Sequence, residues 1–517
     1  MSLGTLDYLV IIGYAIIVAG LSLWASRGSK SSADYFIAGR TMPAWAVAMT
    51  LMATIIGSGT IVGLPGTTFQ KGLILLLGNM MLPLVLIVVA KYIVPFYRHT
   101  VGLSAYEYIG KRFGLGGKFY SSFGFLCDRI FDLGLTLVTT AVAVRVMTGW
   151  DIRYVILSIG IFTILYTMIG GMKAVVWTSV LQGGIFIGAA VLILARLLLA
   201  PEAGPPGAVV QAAWEGGKLN LGDFSFTLQS LTDPALTTQW LFMLAYAINW
   251  GRRYIADQHM VQRYLIASTD REASRGALWN AFLCIPVWAV FMFIGACLWG
   301  YYHLTGHPAP ALADDVVPYF IVTEMTAGIV GLILAAILAA SMSSISADLN
   351  SIATVITSDY IGFFRKEMSD REQLLYGRLM VAIAGLISAG VALLLVPKEG
   401  IASIMERGVV IAAILSGGTL GLFLLGFLTR KATRTGCYAG IVACMIFTGW
   451  GILTQGGESR IMDLGLNFTW NPILIGIFGH IILFGVGYIV SLIAGGYRPD
   501  DIEQYTFRRR PQSETAA

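Results

Sequence analysis

Long apolar runs separated by short polar connections dominate the chain. Each run extends over roughly 20 to 30 residues, the length that a helix needs to cross about 30 Å of hydrocarbon. The predicted membrane spans are 6–26, 44–69, 72–97, 117–147, 151–170, 174–199, 238–267, 275–301, 326–357, 373–397, 403–428, 433–454 and 471–496. The pattern therefore predicts an all-α integral membrane protein with about 13 transmembrane helices.

Composition narrows the class of protein further. Of the 517 residues, 56% are hydrophobic and 12% are charged, about half the charged share of a soluble globular protein. The net charge is +5, but the cations lie in short loops and form no domain-sized basic region. We therefore expect a lipid bilayer, and no nucleic acid, as the partner. The five cysteines form no CxxC pair, so neither a zinc site nor a disulfide framework is indicated.

The charged connections indicate the orientation in the membrane. Cations collect in alternate connections, whereas the opposite loops 201–234 and 305–317 are long and poor in cations. The cation-rich side contains Arg27, Lys30, Arg40, Arg98, Lys111, Arg112, Arg271, Arg275, Arg365, Lys366, Arg371, Arg430, Lys431, Arg434 and Arg508–Arg510. Because positive loops stay inside, we expect a multi-pass protein of a bacterial-type plasma membrane, with the N-terminus outside and the C-terminus cytoplasmic. The run 6–26 lacks a clear signal cleavage site and is interpreted as a retained helix.

Two predicted spans carry helix-breaking sequences near their middle. Span two has Gly57–Thr60 followed by Gly63–Gly66, and span seven has Asn249–Arg253. Interrupted backbone in a membrane is tolerated only where it lines a cavity or is buried in protein. Interruptions at corresponding positions of two halves indicate an inverted-repeat transporter, with a first repeat over 44–199 and a second over 238–428. Alternatively, the glycines only allow helices to approach closely.

Several motifs spread over nearly the whole chain form a combined signature. They are Asp34-Tyr35-Phe36 with Gly39-Arg40, Gly63-Leu64-Pro65-Gly66, Tyr166–Gly171 with Trp177-Thr178, Gln258 with Val261-Gln262-Arg263, and Ala339-Ala340 through Leu349-Asn350-Ser351 with Asp359. Together they resemble the sodium:solute symporter family, whose members include sodium/glucose, sodium/proline, pantothenate and sialic acid transporters. The resemblance implies a secondary active transporter, not an enzyme, that couples sodium entry to uptake of a small polar organic solute of the amino acid, sugar or carboxylate class.

The resemblance also implies an architecture. It is a LeuT-type five-plus-five inverted repeat that works by alternating access. One extra N-terminal helix, 6–26, precedes the repeats, and two extra helices, 433–496, follow them. Residues 497–517 would form a cytoplasmic tail, and 1–517 a single membrane transporter domain. We expect the protein to function as a monomer.

A sodium site is implied at the break of span two and the serine run of span nine. In the site that the family shares, carbonyls would come from Ala53, Ile56 and Ala340, and hydroxyls from Ser343 and Ser344. These groups suit the ion, because sodium takes several hard oxygen ligands and a broken helix offers free carbonyls. Alternatively, the serines form a small-residue face and bond back to their own helix.

A second sodium site of some relatives is altered in this chain. It uses an aspartate in the fifth helix of the repeat and two serines further along span nine. The aspartate position is Ser179 here, and the two serine positions are Ser346 and Ala347. Because the carboxylate is lost, we expect one sodium per transport cycle.

Charges at membrane depth are candidates for substrate recognition, because they are costly there unless paired or functional. Span four contains Asp128, Arg129 and Asp132. Asp132 lies about 22 Å along the helix from its predicted start at residue 117, which is near the midplane of the membrane. The sialic acid transporters hold an arginine near this position, which argues against a sialic acid substrate. With Arg252 in span seven, the cavity would contain both a negative and a positive charge. It would then suit an amino acid or another zwitterion. Alternatively, Asp132 and Arg252 form an internal salt bridge.

Further candidate substrate contacts are Ser58 and Thr60 at the break of span two and Trp250 in span seven. An aromatic face such as that of Trp250 stacks on a sugar or a quaternary ammonium. Residues of this type more often serve as interior packing.

Two other functional classes remain open, a proton-coupled carrier and a transporter-like sensor. A channel would not concentrate a solute, and an intramembrane enzyme would need a catalytic constellation that the sequence does not display. A sensor of this family would continue into a long signalling domain, and the residues after the last span are too few for one.

Overall fold

The computed structural model describes residues 3–27, 31–227, 229, 238–365, 367–396, 417–456, 460, 462–495 and 505–507. Among these residues the regular elements are helices, and the β-type pairing is one isolated bridge between Met42 and Ala267. Nine of the described helices are long and apolar enough to cross a membrane, or ten if one bent pair counts as a span. The prediction of an all-helical, multi-span protein is confirmed, whereas the count of about 13 stays a prediction.

The membrane-length helices are Thr5–Ser26, Leu76–Thr100, Leu115–Thr148, Ile152–Leu198, Asp270–Thr305, Ile329–Phe364, Asp370–Leu395, Arg434–Thr454 and Ile473–Ile493, and the bent pair is Ala44–Ile55 with Gly59–Lys71. Shorter elements are Ser32–Ile37, Ala38–Arg40, Tyr106–Phe113, Pro201–Ala203, Ala208–Glu215, Gln239–Ala256, Gln258–Leu265, Ala313–Asp315, Val316–Glu324 and Thr419–Leu428. Predicted span eleven, 403–428, lies outside the described residues as far as residue 416.

Predicted spans five and six, 151–170 and 174–199, form the two arms of one bent element, Ile152–Leu198. The bend lies at Gly171, whose φ of 58° and ψ of −156° are not helical. A Cβ atom there would lie 2.6 Å from the ring of Tyr35. Only glycine fits this close approach and this backbone conformation.

The bent pair Ala44–Ile55 and Gly59–Lys71, here called the broken helix, turns by 64°. Its first half ends at Ile56, which is extended with φ −85° and ψ 93°. The second half begins with a π-helical turn at Gly59–Gly63. The predicted interruption of span two is therefore confirmed.

The predicted interruption of span seven at Asn249–Arg253 is wrong. The helix Gln239–Ala256, here called the arginine helix, runs through that segment without a break. Gly251 is helical and allows Leu420 to approach to 3.3 Å from the position of its missing Cβ. One glycine lowers helix propensity by only about 1 kcal/mol, which tertiary contacts override. The break lies instead at Asp257, before the short helix Gln258–Leu265.

The helix Ile329–Val355, here called the serine helix, belongs to the most deeply buried of the membrane-length elements described. In the membrane-length helix that contains it, 78% of an 18-residue apolar segment is buried inside the protein. The corresponding buried share in the helix Thr5–Ser26 is 22%. The serine helix packs against Ile152–Leu198, against the broken helix and against Leu115–Thr148, here called the charged helix. Polar side chains on the serine helix are therefore shielded from lipid and must find partners within the protein.

Candidate ion and substrate site

The broken helix and the serine helix meet where the sequence implies a sodium site. Ser343 Oγ lies 2.8 Å from the carbonyl oxygen of Ala53 and 2.8 Å from that of Ala340. All three residues are fully buried. The two helices thus bring three of the predicted oxygen donors into one group.

Ser344 extends this group by one residue. Its hydroxyl lies 3.1 Å from the carbonyl oxygen of Thr54 and 3.4 Å from that of Ala340. The sequence-based donor set did not include Thr54. A Cβ atom on Gly57 would lie 3.2 Å from Ser344 Oγ, so the glycine lets the break come close to the serine helix.

Ile56, the fifth predicted donor, lies beside the group. It is buried, and its N–H still donates to the carbonyl oxygen of Met52 at 2.9 Å. Because the backbone becomes extended at Ile56, its carbonyl leaves the direction of the helix axis. Among the described residues, the hydroxyls of Ser343 and Ser344 bond to other carbonyls rather than to that of Ile56.

The oxygens in this group are neutral. Carbonyl and hydroxyl oxygens are hard ligands, and several of them in a buried position suit an alkali cation better than a transition metal. In the described part of the chain, no group of three or more His, Cys, Asp or Glu side chains is placed to hold a metal ion. The arrangement is therefore chemically suited to sodium.

The three residues at the positions of the altered second site are buried and uncharged. Ser346 Oγ donates to the carbonyl oxygen of Ser343 at 3.1 Å. Ser179 is buried, and its hydroxyl has no hydrogen-bond partner among the described residues. Ala347 is buried and supplies no side-chain oxygen. One sodium per cycle stays a prediction.

Two threonines of the charged helix, on the same face as Asp132, contact the broken helix and the serine helix. Thr140 Oγ1 donates to Ser341 Oγ at 2.7 Å, and Ser58 Oγ donates to the carbonyl oxygen of Thr136 at 3.5 Å. Residues 132, 136 and 140 recur at intervals of four and so share one face of the helix. Sequence reasoning missed the two threonines and Ser341, although this spacing was visible in the sequence.

Asp132 is a partly exposed charge at membrane depth, with 37% of its side chain accessible. Its Oδ2 atom lies 2.9 Å from Nη1 of Arg129, three residues earlier on the same helix. The alternative of an Asp132–Arg252 salt bridge is wrong in this structure, because each residue pairs with a nearer partner. The exposed carboxylate can face a polar cavity.

Arg252 is buried and already paired. Its Nη1 atom lies 3.2 Å from Asp257 Oδ1 and 3.4 Å from Asp128 Oδ2. Together with Tyr106 and Phe125, these residues line a narrow crevice. Arg252 therefore stabilises the contact between the arginine helix and the charged helix, and a substrate would reach it only after this ion pair opens.

Arg129 is shared among several carboxylates. Its guanidinium lies 2.5 Å from Asp128, 2.9 Å from Asp132 and 3.7 Å from Asp348 of the serine helix. Sequence reasoning did not identify Asp348 or Asp257 as functional residues. The signal was present, since both are acidic residues within predicted membrane spans.

The remaining candidate substrate contacts are largely buried inside the protein. Trp250 is 5% exposed and stacks on Trp288, with ring centroids 5.2 Å apart and an interplanar angle of 22°. Its indole N–H has no hydrogen-bond partner among the described residues. Ser58 and Thr60 are buried at the break. These residues can meet a solute only if the helices around them move apart.

Comparison with known proteins gives the same class. A family model of the sodium:solute symporter family matches residues 35–444. The sodium/sialic acid symporter NanT of Aliivibrio fischeri is 28% identical over 100% of this chain and 99% of its own length. The sodium/sialic acid symporter SiaT of Proteus mirabilis is 30% identical over 86% of this chain and 88% of its own length.

A solved structure of similar fold leads to the same conclusion. A substrate-bound, outward-open Na⁺-coupled sialic acid symporter matches with a TM-score of 0.85 and 27% identity, over 95% of this chain and 98% of that one. The family match covers well over half of the chain. The protein belongs to the sodium:solute symporter family and is a multi-pass membrane transporter, not an enzyme, that couples solute transport to sodium.

Proposed function

We propose that one sodium ion, held by Ala53, Ile56, Ala340, Ser343 and Ser344, drives uptake of a small zwitterionic solute through this protein. The observation that carries the proposal is the position of Ser343 Oγ, 2.8 Å from carbonyl oxygens of both the broken helix and the serine helix. An ion bound there would hold the two helices together. Its release would free them to move apart, which is the coupling that alternating access requires.

The proposed architecture has 13 spans in a five-plus-five inverted repeat over 44–199 and 238–428. Support comes from two interruptions, at Ile56 in the broken helix and at Asp257 after the arginine helix. The bend at Gly171 supports counting Ile152–Leu198 as two spans. With cation-rich loops inside, the N-terminus lies outside and the C-terminus in the cytoplasm of a bacterial-type inner membrane. The protein functions as a monomer.

The proposed solute carries an amine that contacts Asp132. This carboxylate is partly exposed at membrane depth, on the same face of the charged helix as the two threonines. An anionic sugar such as sialic acid, which the relatives' names specify, would be repelled by Asp132. A zwitterion places its ammonium on Asp132 and leaves its carboxylate for neighbouring hydroxyls and N–H groups.

The test is uptake by proteoliposomes over a panel of amino acids, betaines, sugars, sialic acid and monocarboxylates. Each solute is offered with an inward sodium gradient, with potassium in place of sodium, and with an inward proton gradient alone. The proposal predicts concentrative uptake of an amino acid or related zwitterion with sodium only. Uptake of sialic acid in preference to zwitterions would refute the assignment of Asp132, and uptake driven by protons without sodium would refute the ion assignment.

A further inference from the structure

Asp348 lies one helical turn beyond the predicted sodium ligands. It follows Ser344 by four residues, so both side chains project from the same face of the serine helix, about 6 Å apart along its axis. Asp348 is 4% exposed. Under the proposed orientation the serine helix runs inward from residue 329, and Asp348 therefore lies between the sodium site and the cytoplasm.

The two carboxylate oxygens of Asp348 differ in their surroundings. Oδ2 lies 3.7 Å from Arg129 Nη1, within ion-pair range but beyond hydrogen-bonding distance. Oδ1 is buried and has no hydrogen-bond partner among the described residues. A buried carboxylate oxygen without a partner is unfavourable unless a proton donor or a cation satisfies it.

Arg129 does not fully compensate Asp348. Its shorter contacts are to Asp128 and Asp132, at 2.5 Å and 2.9 Å, so most of its charge is already shared. The surroundings of Asp348 also contain a further anion, Asp132, and two further cations, Arg253 and Arg263. Arg263 directs one N–H to the carbonyl oxygen of His259, on its own short helix. The surroundings thus leave Oδ1 available to an additional cation.

We propose that Asp348 is a second, transient cation-binding position, which receives sodium as it leaves the Ser343–Ser344 group towards the cytoplasm. This inference rests on the proposed sodium site and its orientation. The ion leaves the two hydroxyl ligands and gains one carboxylate oxygen, a helical turn closer to the cytoplasm. It therefore keeps a protein oxygen ligand between binding and release. Sodium entering from the cytoplasmic side meets Asp348 first.

The experiment measures sodium sensitivity separately on the two faces of the membrane. In proteoliposomes, solute uptake is titrated with external sodium and, in a second series, inhibited by increasing internal sodium. Asp348→Asn removes the charge and keeps the shape. We expect the internal sodium concentration for half-inhibition to rise about tenfold, since one direct charge contact is lost, while the external half-saturating concentration changes less than about twofold.

Two further variants keep the experiment decisive. Ser351→Ala, in the next turn of the serine helix, is the matched control, because its hydroxyl bonds to the backbone carbonyl of Asp348 rather than to the carboxylate. It is expected to leave both titrations unchanged. Asp348→Ser, a small residue that can bond its own helix, replaces Asp348→Asn if that variant is poorly expressed, with the same expected shift.

Three results would overturn the inference. The first is an unchanged internal titration, and the second is an equal shift on both faces, which would assign Asp348 to the main site or to overall stability. The third is a variant in which inhibition of uptake by protons inside the proteoliposome changes while inhibition by internal sodium does not. That result would make Asp348 a protonation site. Uptake by the unmodified protein without sodium would instead refute the proposed function itself.

Discussion

The hydroxyl oxygen of Ser343 lies 2.8 Å from the carbonyl oxygen of Ala53, 290 residues earlier in the chain. This contact joins the serine helix to the end of the first half of the broken helix, where backbone carbonyls begin to lose their helical partners. A cation at this contact gains oxygens from both helices at once. The affinity for sodium is therefore tied to the distance between the two helices.

Gly57→Ala is expected to weaken sodium activation. Its added Cβ would lie 3.2 Å from Ser344 Oγ, so the hydroxyl must shift by a few tenths of an ångström. We expect a several-fold rise in the half-saturating sodium concentration, measured by solute uptake, because an oxygen ligand is displaced. Gly59→Ala is the matched control, since a Cβ there meets no atom within 4 Å. Equal effects of the two substitutions would show that chain flexibility, and not the Ser344 contact, is being measured.

One sodium is expected to enter with each solute molecule. The altered second site has Ser179 and Ala347 where a carboxylate and a hydroxyl would be needed. With a neutral substrate, charge movement in proteoliposomes should equal one charge per solute, and sodium activation should show a Hill coefficient near one. Two charges per solute with a Hill coefficient near two would contradict this stoichiometry.

Asp132→Asn is expected to reduce affinity for an amine-bearing solute without unfolding the protein. Arg129, its partner, retains Asp128 at 2.5 Å, so no buried charge is left uncompensated. We expect a rise in the half-saturating solute concentration of about tenfold or more, because a charge-assisted contact is lost. Thermal unfolding in detergent should change little, and Asp132→Glu should retain part of the affinity. Normal affinity in Asp132→Asn would exclude the carboxylate as a substrate contact.

Arg252→Met is expected to destabilise the protein strongly. It leaves Asp257 buried without its nearest cation, and loss of one partner of a buried ion pair costs about 3–5 kcal/mol. Lower expression and an earlier thermal transition are expected, with recovery in the double variant Arg252→Met, Asp257→Asn. Arg275→Gln, which removes an exposed pair with Glu272, is the control and should have little effect. A stable single variant would show that the network does not hold the helices together.

The sequence predicted the features that depend on local chemistry. Hydropathy located most of the spans, and the glycines around Ser58 located the real interruption of the broken helix. The same reasoning failed at Gly251, because a glycine that serves close packing and a glycine at a break look alike in a sequence. The actual break is at Asp257, where the backbone is extended, and neither a glycine nor a proline marks that position.

Partner choice among the buried charges could not be predicted either. Asp132 pairs with Arg129 because the two share a helix face, and this leaves Arg252 to Asp257 and Asp128. A sequence lists these charges but does not give the distances between them, and the distances decide which of them pair. Asp348 was overlooked because the serines beside it in the sequence already explained that segment.

The most direct test of the sodium site is equilibrium binding of radioactive sodium to the purified protein, in the presence of a transported solute. It compares the unmodified protein, the double variant Ser343→Ala, Ser344→Ala, and the control Ser351→Ala. Each lost hydroxyl is expected to cost about 1 kcal/mol, so the double variant should bind sodium roughly thirtyfold more weakly, while the control binds normally. Unchanged sodium affinity in the double variant would contradict the assignment of the ion to the contact between Ser343 and Ala53.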